Sequence, residues 1–264
     1  MGARRPPLDP GLVAPLQVAA RPERTGGRRV GVLVLHGFTG SPASVRPWAE
    51  HLAEQGYGVS MPLLPGHGTR WQDLNATGWS DWYGAVSAAF DDLRAESDAV
   101  VVVGLSMGGA LTLRLAADRG SQLSGVVVVN PAVDTLRRDV KLLPVLKHVL
   151  PAMPAIANDI ARAGVDEVGY PLTPLRAAAS MFTGFAALRA DLGRIEVPVL
   201  MFRSRNDHVV DVASSRALHA GLGSRDFTER ILTDSYHVAT LDNDAELVFR
   251  ESVDFVARVT GDRG

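Results

Sequence analysis

The sequence predicts an α/β protein whose central sheet is mostly parallel and is flanked by helices. Short apolar runs rich in β-branched residues indicate strands buried on both faces, as in Val30 to Leu35 and Ala99 to Val103. Segments with helical spacing lie between such runs, as expected when helices cross over between parallel strands. The 264 residues, 46% of them hydrophobic, are enough for one large domain with a substantial core.

The predicted elements follow an N-terminal arm. Residues 1–28 are rich in proline, glycine and arginine, so we expect a partly ordered arm with one short edge strand around Leu16 to Ala19. Helical spacing over Trp79 to Glu96 predicts a helix whose aromatic face packs beneath the central strand. The other predicted elements are strands at Tyr57–Met61, Gly125–Val129, Val197–Phe202 and Phe227–Leu232 and helices at Ser44–Gln55 and Asp244–Arg258.

The central strand leads into the pentapeptide Gly-Leu-Ser-Met-Gly, residues 104–108. Glycines two residues to either side of Ser106 allow the backbone to turn tightly from a strand into a helix. This turn leaves the serine hydroxyl exposed at the sheet edge, beside the positive end of the helix dipole. A glycine-rich turn with a serine N-cap is the alternative, but the buried strand before it and the helix after it favour a nucleophile elbow.

A serine nucleophile needs a carboxylate and a histidine, which follow an elbow of this type in the order acid, then histidine. Asp207 comes just after a predicted strand, and His237 lies in the loop that follows the last strand. We therefore assign Ser106 as nucleophile, Asp207 as acid and His237 as general base. The rivals are weaker by position: Asp211 is the nearest alternative acid, Asp191 precedes the strand, Asp242 follows the histidine, and His208 is adjacent to the proposed acid.

The first buried strand ends in a glycine-containing loop, His36-Gly37-Phe38-Thr39-Gly40. Ligands of open α/β sheets bind beyond the carboxyl ends of the strands, where this loop begins. We assign the backbone amides of Phe38 and of Met107, the residue directly after the nucleophile, as the two donors of an oxyanion hole. An ordinary strand-to-helix loop is the alternative.

A segment between two predicted strands differs in texture from the rest. Residues 133–184 lack valine-rich strands and contain five prolines among short apolar pieces such as LLPVLKHVL and AMPAIANDI, which we interpret as helical. Inserted segments of this length are often lids. The sequence thus predicts a core of residues 1–132 and 185–264 and a helical cap of residues 133–184. Within the cap, we expect Leu146 and Met153 to bind substrate; anchoring of the cap to the core is the alternative role.

Composition argues against several classes of function. The net charge of −2 and the pI near 6.4 disfavour a nucleic-acid partner, and the absence of cysteine excludes disulfides and thiolate chemistry. His67 has no partner at metal-ligand spacing, so we favour a structural role and expect no metal or organic cofactor. No export signal or bilayer-spanning segment is apparent, so we expect a cytoplasmic protein without integral membrane association. Assembly as a homodimer is left open.

Four stretches carry a resemblance to a known family: HGFTGSPASVRPWAEHLAEQGYGVSMPLLPGHGT, GLSMGGALTL, SRNDHVV and SYHVATLD. They are similar to the bacterial monoacylglycerol lipases and their carboxylesterase relatives, within the α/β-hydrolase superfamily, from about Val30 to Val256. The resemblance implies the α/β-hydrolase fold, the triad and oxyanion donors assigned above, and a small helical cap. The cap departs most from the family pattern.

These assignments predict ester hydrolysis through an acyl-enzyme, with a single-chain ester such as a monoacylglycerol as substrate. A broad short-chain carboxylesterase or a carbon–carbon bond hydrolase is the alternative, because a triad alone does not name a substrate. A ligand-binding protein that retains the hydrolase fold is the non-enzyme alternative. The presence of all three triad residues disfavours it.

Overall fold

A seven-stranded sheet organises the computed structural model, which describes residues 10–156 and 158–261. In chain order, the strands of the structure are β1 (Leu16–Val18), β2 (Val30–Leu35), β3 (Gly58–Met61), β4 (Ala99–Leu105), β5 (Gly125–Val129), β6 (Ala152–Pro154), β7 (Leu172–Pro174), β8 (Val199–Ser204) and β9 (Phe227–Leu232). The large sheet has the order β1-β3-β2-β4-β5-β8-β9, and β6 pairs with β7 separately. Only the β1–β3 pair of the large sheet is antiparallel, so the predicted edge strand and the predicted fold class are both confirmed.

Helices cover both faces of the large sheet. In chain order, the helices of the structure are α1 (Pro10–Val13), α2 (Arg46–Glu54), α3 (Trp71–Leu74), α4 (Trp79–Ala95), α5 (Met107–Arg119), α6 (Leu143–Val149), α7 (Leu175–Asp191), α8 (Val212–Gly221) and α9 (Ala245–Thr260). Successive residues of a strand point to opposite faces, so β4 supplies both layers of core. Val102 packs with Trp82 of α4 on one face, and Val103 packs with Trp48 of α2 on the other.

The strand register places the functional loops at one edge. Leu35 at the end of β2 is opposite Gly104 of β4, and Leu105 of β4 is opposite Val129 of β5. Strands β8 and β9 are parallel to them, so their exit loops leave at the same edge. The carboxyl ends of these parallel strands therefore bring distant parts of the sequence together.

Residues 133–184 contain less helix than the sequence predicts. LLPVLKHVL contributes α6, but AMPAIANDI begins with β6 rather than a helix. Prolines at 151 and 154 disfavour helical backbone at the preceding residues, and Leu150 is extended, at φ −125° and ψ 128°. Strand β6 instead pairs with β7 in an antiparallel arrangement, with Met153 opposite Thr173.

The predicted boundary between residues 184 and 185 falls inside α7, which continues from Leu175 to Asp191. Gly184 is a point of close approach rather than a break, because a Cβ there would lie 2.2 Å from the Trp79 ring. Leu175 and Ala178 of α7 pack with Leu143 of α6, while Ala177, Met181, Phe185 and Leu188 of the same helix join the main core. Among the helices of the described residues, none is both long and apolar enough to cross a bilayer.

Candidate active site

Ser106 lies at the turn between β4 and α5. Its backbone adopts φ 57° and ψ −118°, a region that costs about 1–3 kcal/mol for a residue with a side chain. Packing enforces the turn: a Cβ on Gly104 would lie 2.4 Å from the Gly108 backbone, and one on Gly108 would lie 2.3 Å from the Leu35 carbonyl oxygen. The Ser106 amide also donates to the Val129 carbonyl at 2.9 Å. The predicted elbow is confirmed as a local structure.

Asp207 and His237 form a hydrogen-bonded pair at the same edge. His237 Nδ1 lies 2.8 Å from Asp207 Oδ2, and the other carboxylate oxygen of Asp207 accepts from the amides of Val209 and Val210, both at 2.8 Å. A carboxylate accepts the Nδ1 proton, which leaves Nε2 of a neutral His237 with a lone pair. Ser106 and His237 line one cavity.

Burial and charge set the protonation of this pair. Burial disfavours the charged form of His237, but the Asp207 carboxylate, its hydrogen bond and the charges of Glu167 and Asp159 together raise the pKa of His237 above its ordinary 6.5. Burial likewise opposes ionisation of Asp207, yet the His237 charge and hydrogen bonds hold the pKa of Asp207 below its ordinary value. The arrangement favours an ionised carboxylate and a basic imidazole.

The rival acids and histidine have other partners. Asp211 caps α8 by accepting from the Ala213 amide at 2.9 Å, and it also accepts from the Thr135 hydroxyl. Asp191 pairs with Arg114 at 2.7 Å. His208 Nδ1 lies 2.7 Å from a carboxylate oxygen of Asp159, in the cap segment.

The loop after β2 passes close to Ser106. A Cβ on Gly37 would lie 3.3 Å from the Ser106 Cβ, so the next amide, that of Phe38, is held beside the elbow. Met107 is the first residue of α5, where amide N–H groups have no acceptor within the helix. Both residues proposed as oxyanion donors thus lie at this edge.

His36 holds that loop in place and was missed by the sequence reasoning. Its Nε2 accepts from the Leu64 amide at 3.2 Å, so its Nδ1 carries the proton and donates to the Gly37 carbonyl at 3.0 Å. Burial lowers the pKa of His36 to about 4, which keeps the ring neutral. The sequence feature that could have indicated this role is the position of His36 directly after a buried strand.

A cavity of about 170 Å³ lies over Ser106. Its apolar wall includes Met181, Phe182 and Phe185 from α7. Two acids within residues 133–184, Asp159 and Glu167, supply polar groups, and burial raises the pKa of Glu167. Both acids lie far from the triad in sequence and were not predicted.

Leu146 and Met153 line a second, adjoining cavity of about 410 Å³. The two cavities share Ile156, Ala178 and Phe182 among their lining residues. The two residues predicted to bind substrate, Leu146 and Met153, therefore line the adjoining cavity and not the cavity over Ser106.

His67 is buried against other rings. It lies 4.9 Å from His36 and 5.9 Å from Trp82, measured between ring centroids, and burial with the nearby His36 holds its pKa well below 6.5. Among the described residues, no group of three or more His, Asp or Glu side chains is arranged to hold a metal ion. These contacts fit the structural role predicted for His67.

The sheet order and the strained serine elbow define an α/β-hydrolase. The chain belongs to the hydrolase family described as "Serine aminopeptidase, S33", which it matches over residues 27–244. It is accordingly a hydrolase enzyme.

Similar proteins cover nearly the whole chain. A thermostable monoacylglycerol lipase of Bacillus sp. (strain H-257) is 35% identical over 94% of this chain and 98% of its own length. A carboxylesterase of Bacillus subtilis (strain 168) is 26% identical over 92% of this chain and 98% of its own. A solved metagenome-derived lipolytic enzyme superposes with a TM-score of 0.88 at 38% identity, covering 93% of this chain and 98% of that one.

Proposed function

We propose that this hydrolase cleaves carboxylic esters through an acyl-enzyme on Ser106, with monoacylglycerols or similar single-chain esters as substrates. The observation that carries the proposal is the 2.8 Å hydrogen bond between His237 and Asp207, at a cavity that Ser106 also lines. The lipolytic and esterase activities in the names of the full-length relatives agree with it.

In the proposed acylation step, Ser106 Oγ attacks the ester carbonyl while Nε2 of His237 takes the hydroxyl proton. Asp207 holds the ring through Nδ1 and stabilises the imidazolium that forms. The amides of Phe38 and Met107 donate to the oxyanion, and each such donor contributes about 10² to 10³ in rate. The tetrahedral intermediate then collapses, and His237 gives its proton to the departing alcohol.

Deacylation repeats these transfers with water. His237 removes a proton from the water molecule as its oxygen attacks the acyl carbonyl, and the second tetrahedral intermediate expels Ser106. The proton returns to the serine oxygen, and the carboxylic acid leaves. No step needs a redox change or a further co-reactant.

The lining of the site supports an ester with one chain and a small polar head. The aromatic wall from α7 offers apolar contact for an acyl chain, and the adjoining cavity beside Leu146 and Met153 offers room for its continuation. Glu167 and Thr39 also line the cavity, where a carboxylate oxygen and a hydroxyl oxygen can accept hydrogen bonds from hydroxyl groups of a substrate. We assign residues 133–184 the role of a cap over this site.

A substrate panel tests the proposal. We expect the wild-type protein to hydrolyse nitrophenyl esters and monoacylglycerols, with much lower kcat/KM for di- and triacylglycerols. Ser106→Ala should abolish this hydrolysis and leave Tm nearly unchanged, because the small substitution keeps the turn. Retained turnover in Ser106→Ala contradicts the mechanism. A preference for aminoacyl nitroanilides over all esters contradicts the substrate class.

Three further expectations stay predictions from the sequence. They are a cytoplasmic location, the absence of a nucleic-acid partner, and a homodimer as an oligomeric state open to the chain. Light scattering coupled to size-exclusion chromatography measures the last.

A further inference from the structure

Asp159 of the cap segment contacts both loops that carry the acid–base pair. One carboxylate oxygen lies 2.7 Å from His208 Nδ1. The other accepts from the His208 amide at 3.1 Å and from the His237 amide at 3.2 Å. The Asp159 carbonyl accepts from the Val238 amide at 3.1 Å. A single residue thus ties the cap to the loop after β8 and to the loop after β9.

Asp242 makes the reciprocal connection from the core. Its carboxylate accepts from the cap amides of Ala161 at 2.7 Å and Arg162 at 2.9 Å. It also accepts from the amide of Tyr236, next to His237, at 2.8 Å. Two carboxylates therefore join the same cap segment to the same histidine loop.

The two acids differ in their effect on the imidazole. Asp159 lines the cavity with His237, and its charge, like those of Asp207 and Glu167, favours the protonated ring. Burial biases Glu167 toward its neutral form. Asp242 does not line that cavity. Asp159 therefore combines a hydrogen bond to the His237 backbone with a charge that favours imidazolium.

We propose that Asp159 is a positioning residue for His237: it fixes the histidine loop from the cap and stabilises the protonated ring formed during turnover. This rests on the proposed function, since it assigns Asp159 a task in the same triad. His208 orients the Asp159 carboxylate through its ring and its amide. The cap then contributes to the rate of the chemical step as well as to substrate binding.

The test compares Asp159→Asn with Asp242→Asn in the full chain, using pH profiles of nitrophenyl ester hydrolysis. Both variants remove one negative charge from a carboxylate that binds the same loop. For Asp159→Asn, we expect kcat at alkaline pH to fall about ten- to a hundredfold with little change in KM. Its acid limb should move toward lower pH by roughly half a pH unit or more, because a carboxylate that favours imidazolium is gone.

Asp242→Asn is the matched control, and its acid limb should stay at the wild-type pH even if kcat falls. Asp159→Glu retains the charge, so its acid limb should also stay there. Equal shifts in Asp159→Asn and Asp242→Asn would show a structural effect of loosening the loop and would overturn the proposal. An unchanged kcat and an unchanged acid limb in Asp159→Asn would overturn it as well.

Two further measurements keep the proposal testable. If Asp159→Asn does not fold, His208→Ala is the substitute variant, because it removes one hydrogen-bond partner of Asp159 and its own side chain is largely exposed. In His208→Ala, kcat should fall several-fold at constant KM. An unchanged kcat contradicts the proposal. If the wild-type protein neither hydrolyses esters nor reacts with a fluorophosphonate, the proposed function fails separately. NMR titration of the His237 ring then still decides: a lower pKa in Asp159→Asn supports the electrostatic role, and an unchanged one refutes it.

Discussion

The functional edge of the sheet and the cap segment differ in how tightly their residues pack. At the edge, Ser106 follows a strand buried in the core: all seven residues of β4 are buried. In the cap, α6 leaves Val145 and Val149 about 70% exposed, and the accompanying sheet has two strands of three residues. Rigid strands fix the positions of reacting groups, while a lightly packed segment can adapt to a ligand.

The two regions also depend on different forces. The edge is held by packing so close that glycine is required at two positions of the elbow. Asp159 of the cap accepts a hydrogen bond from the histidine loop, and Asp242 of the core accepts hydrogen bonds from both the cap and that loop. Substitutions at the edge should therefore affect chemistry and folding, whereas substitutions along the apolar cap should change specificity.

The largest expected effect is on the acid. Asp207→Asn should reduce kcat about 10⁴-fold, because an amide does not hold His237 in the required tautomer. Asp211→Asn is the matched control. Asparagine keeps one oxygen that can cap α8 but loses the second, which accepts from the Leu136 amide, so the free energy of unfolding should fall by about 1 kcal/mol while kcat stays within a few-fold. Steady-state kinetics measures both, and the reverse order of effects would reassign the acid.

The elbow gives the next largest effect. Gly108→Ala places a methyl group 2.3 Å from the Leu35 carbonyl oxygen, so we expect a loss of about 3 kcal/mol or more in unfolding free energy. Gly84→Ala in α4 meets no atom within 4 Å and should stabilise the protein by about 0.5–1 kcal/mol. Urea denaturation measures the free energy of unfolding of both variants. If Gly108→Ala does not lower it, the elbow can relax to accommodate a methyl group.

Acid should destabilise the loop that His36 holds. The pKa of His36 is about 4 in the fold and 6.5 when unperturbed, so the unfolded chain binds the extra proton first as pH falls. This contribution to stability is fully present above pH 6.5 and is lost toward pH 4, which amounts to about 3 kcal/mol. The pH dependence of unfolding should be shallower in His36→Gln and unchanged in the exposed control His148→Gln. Identical slopes would remove His36 from the account.

The smallest effect is expected in the cap. Replacing Leu146 or Met153 by Phe narrows the adjoining cavity and should lower kcat/KM for long relative to short acyl chains by about tenfold. Val145→Phe, on the exposed side of α6, should leave the chain-length profile unchanged. Profiles from a series of nitrophenyl esters measure this. No change in either variant would assign both side chains to anchoring the cap.

The same contrast explains what sequence could predict. The sequence predicts β2, β4 and β5 because burial on both faces selects β-branched runs, and it predicts the elbow because two glycines are sterically required. The helix predicted for AMPAIANDI is wrong at residues 152–154, which form a strand. Apolar spacing alone predicts a helix there, but the prolines at 151 and 154 favour extended backbone at the residues before them. The role of Asp159 could not be predicted from the sequence, because its hydrogen-bond partner His237 lies 78 residues away along the chain.

The most direct test of the central claim is peptide mapping by mass spectrometry after reaction with a fluorophosphonate. The account predicts one adduct, on Ser106, whose formation slows in Asp207→Asn and in His237→Ala and is absent in Ser106→Ala. An adduct on another residue, or no adduct in an otherwise folded and ester-cleaving protein, would contradict it.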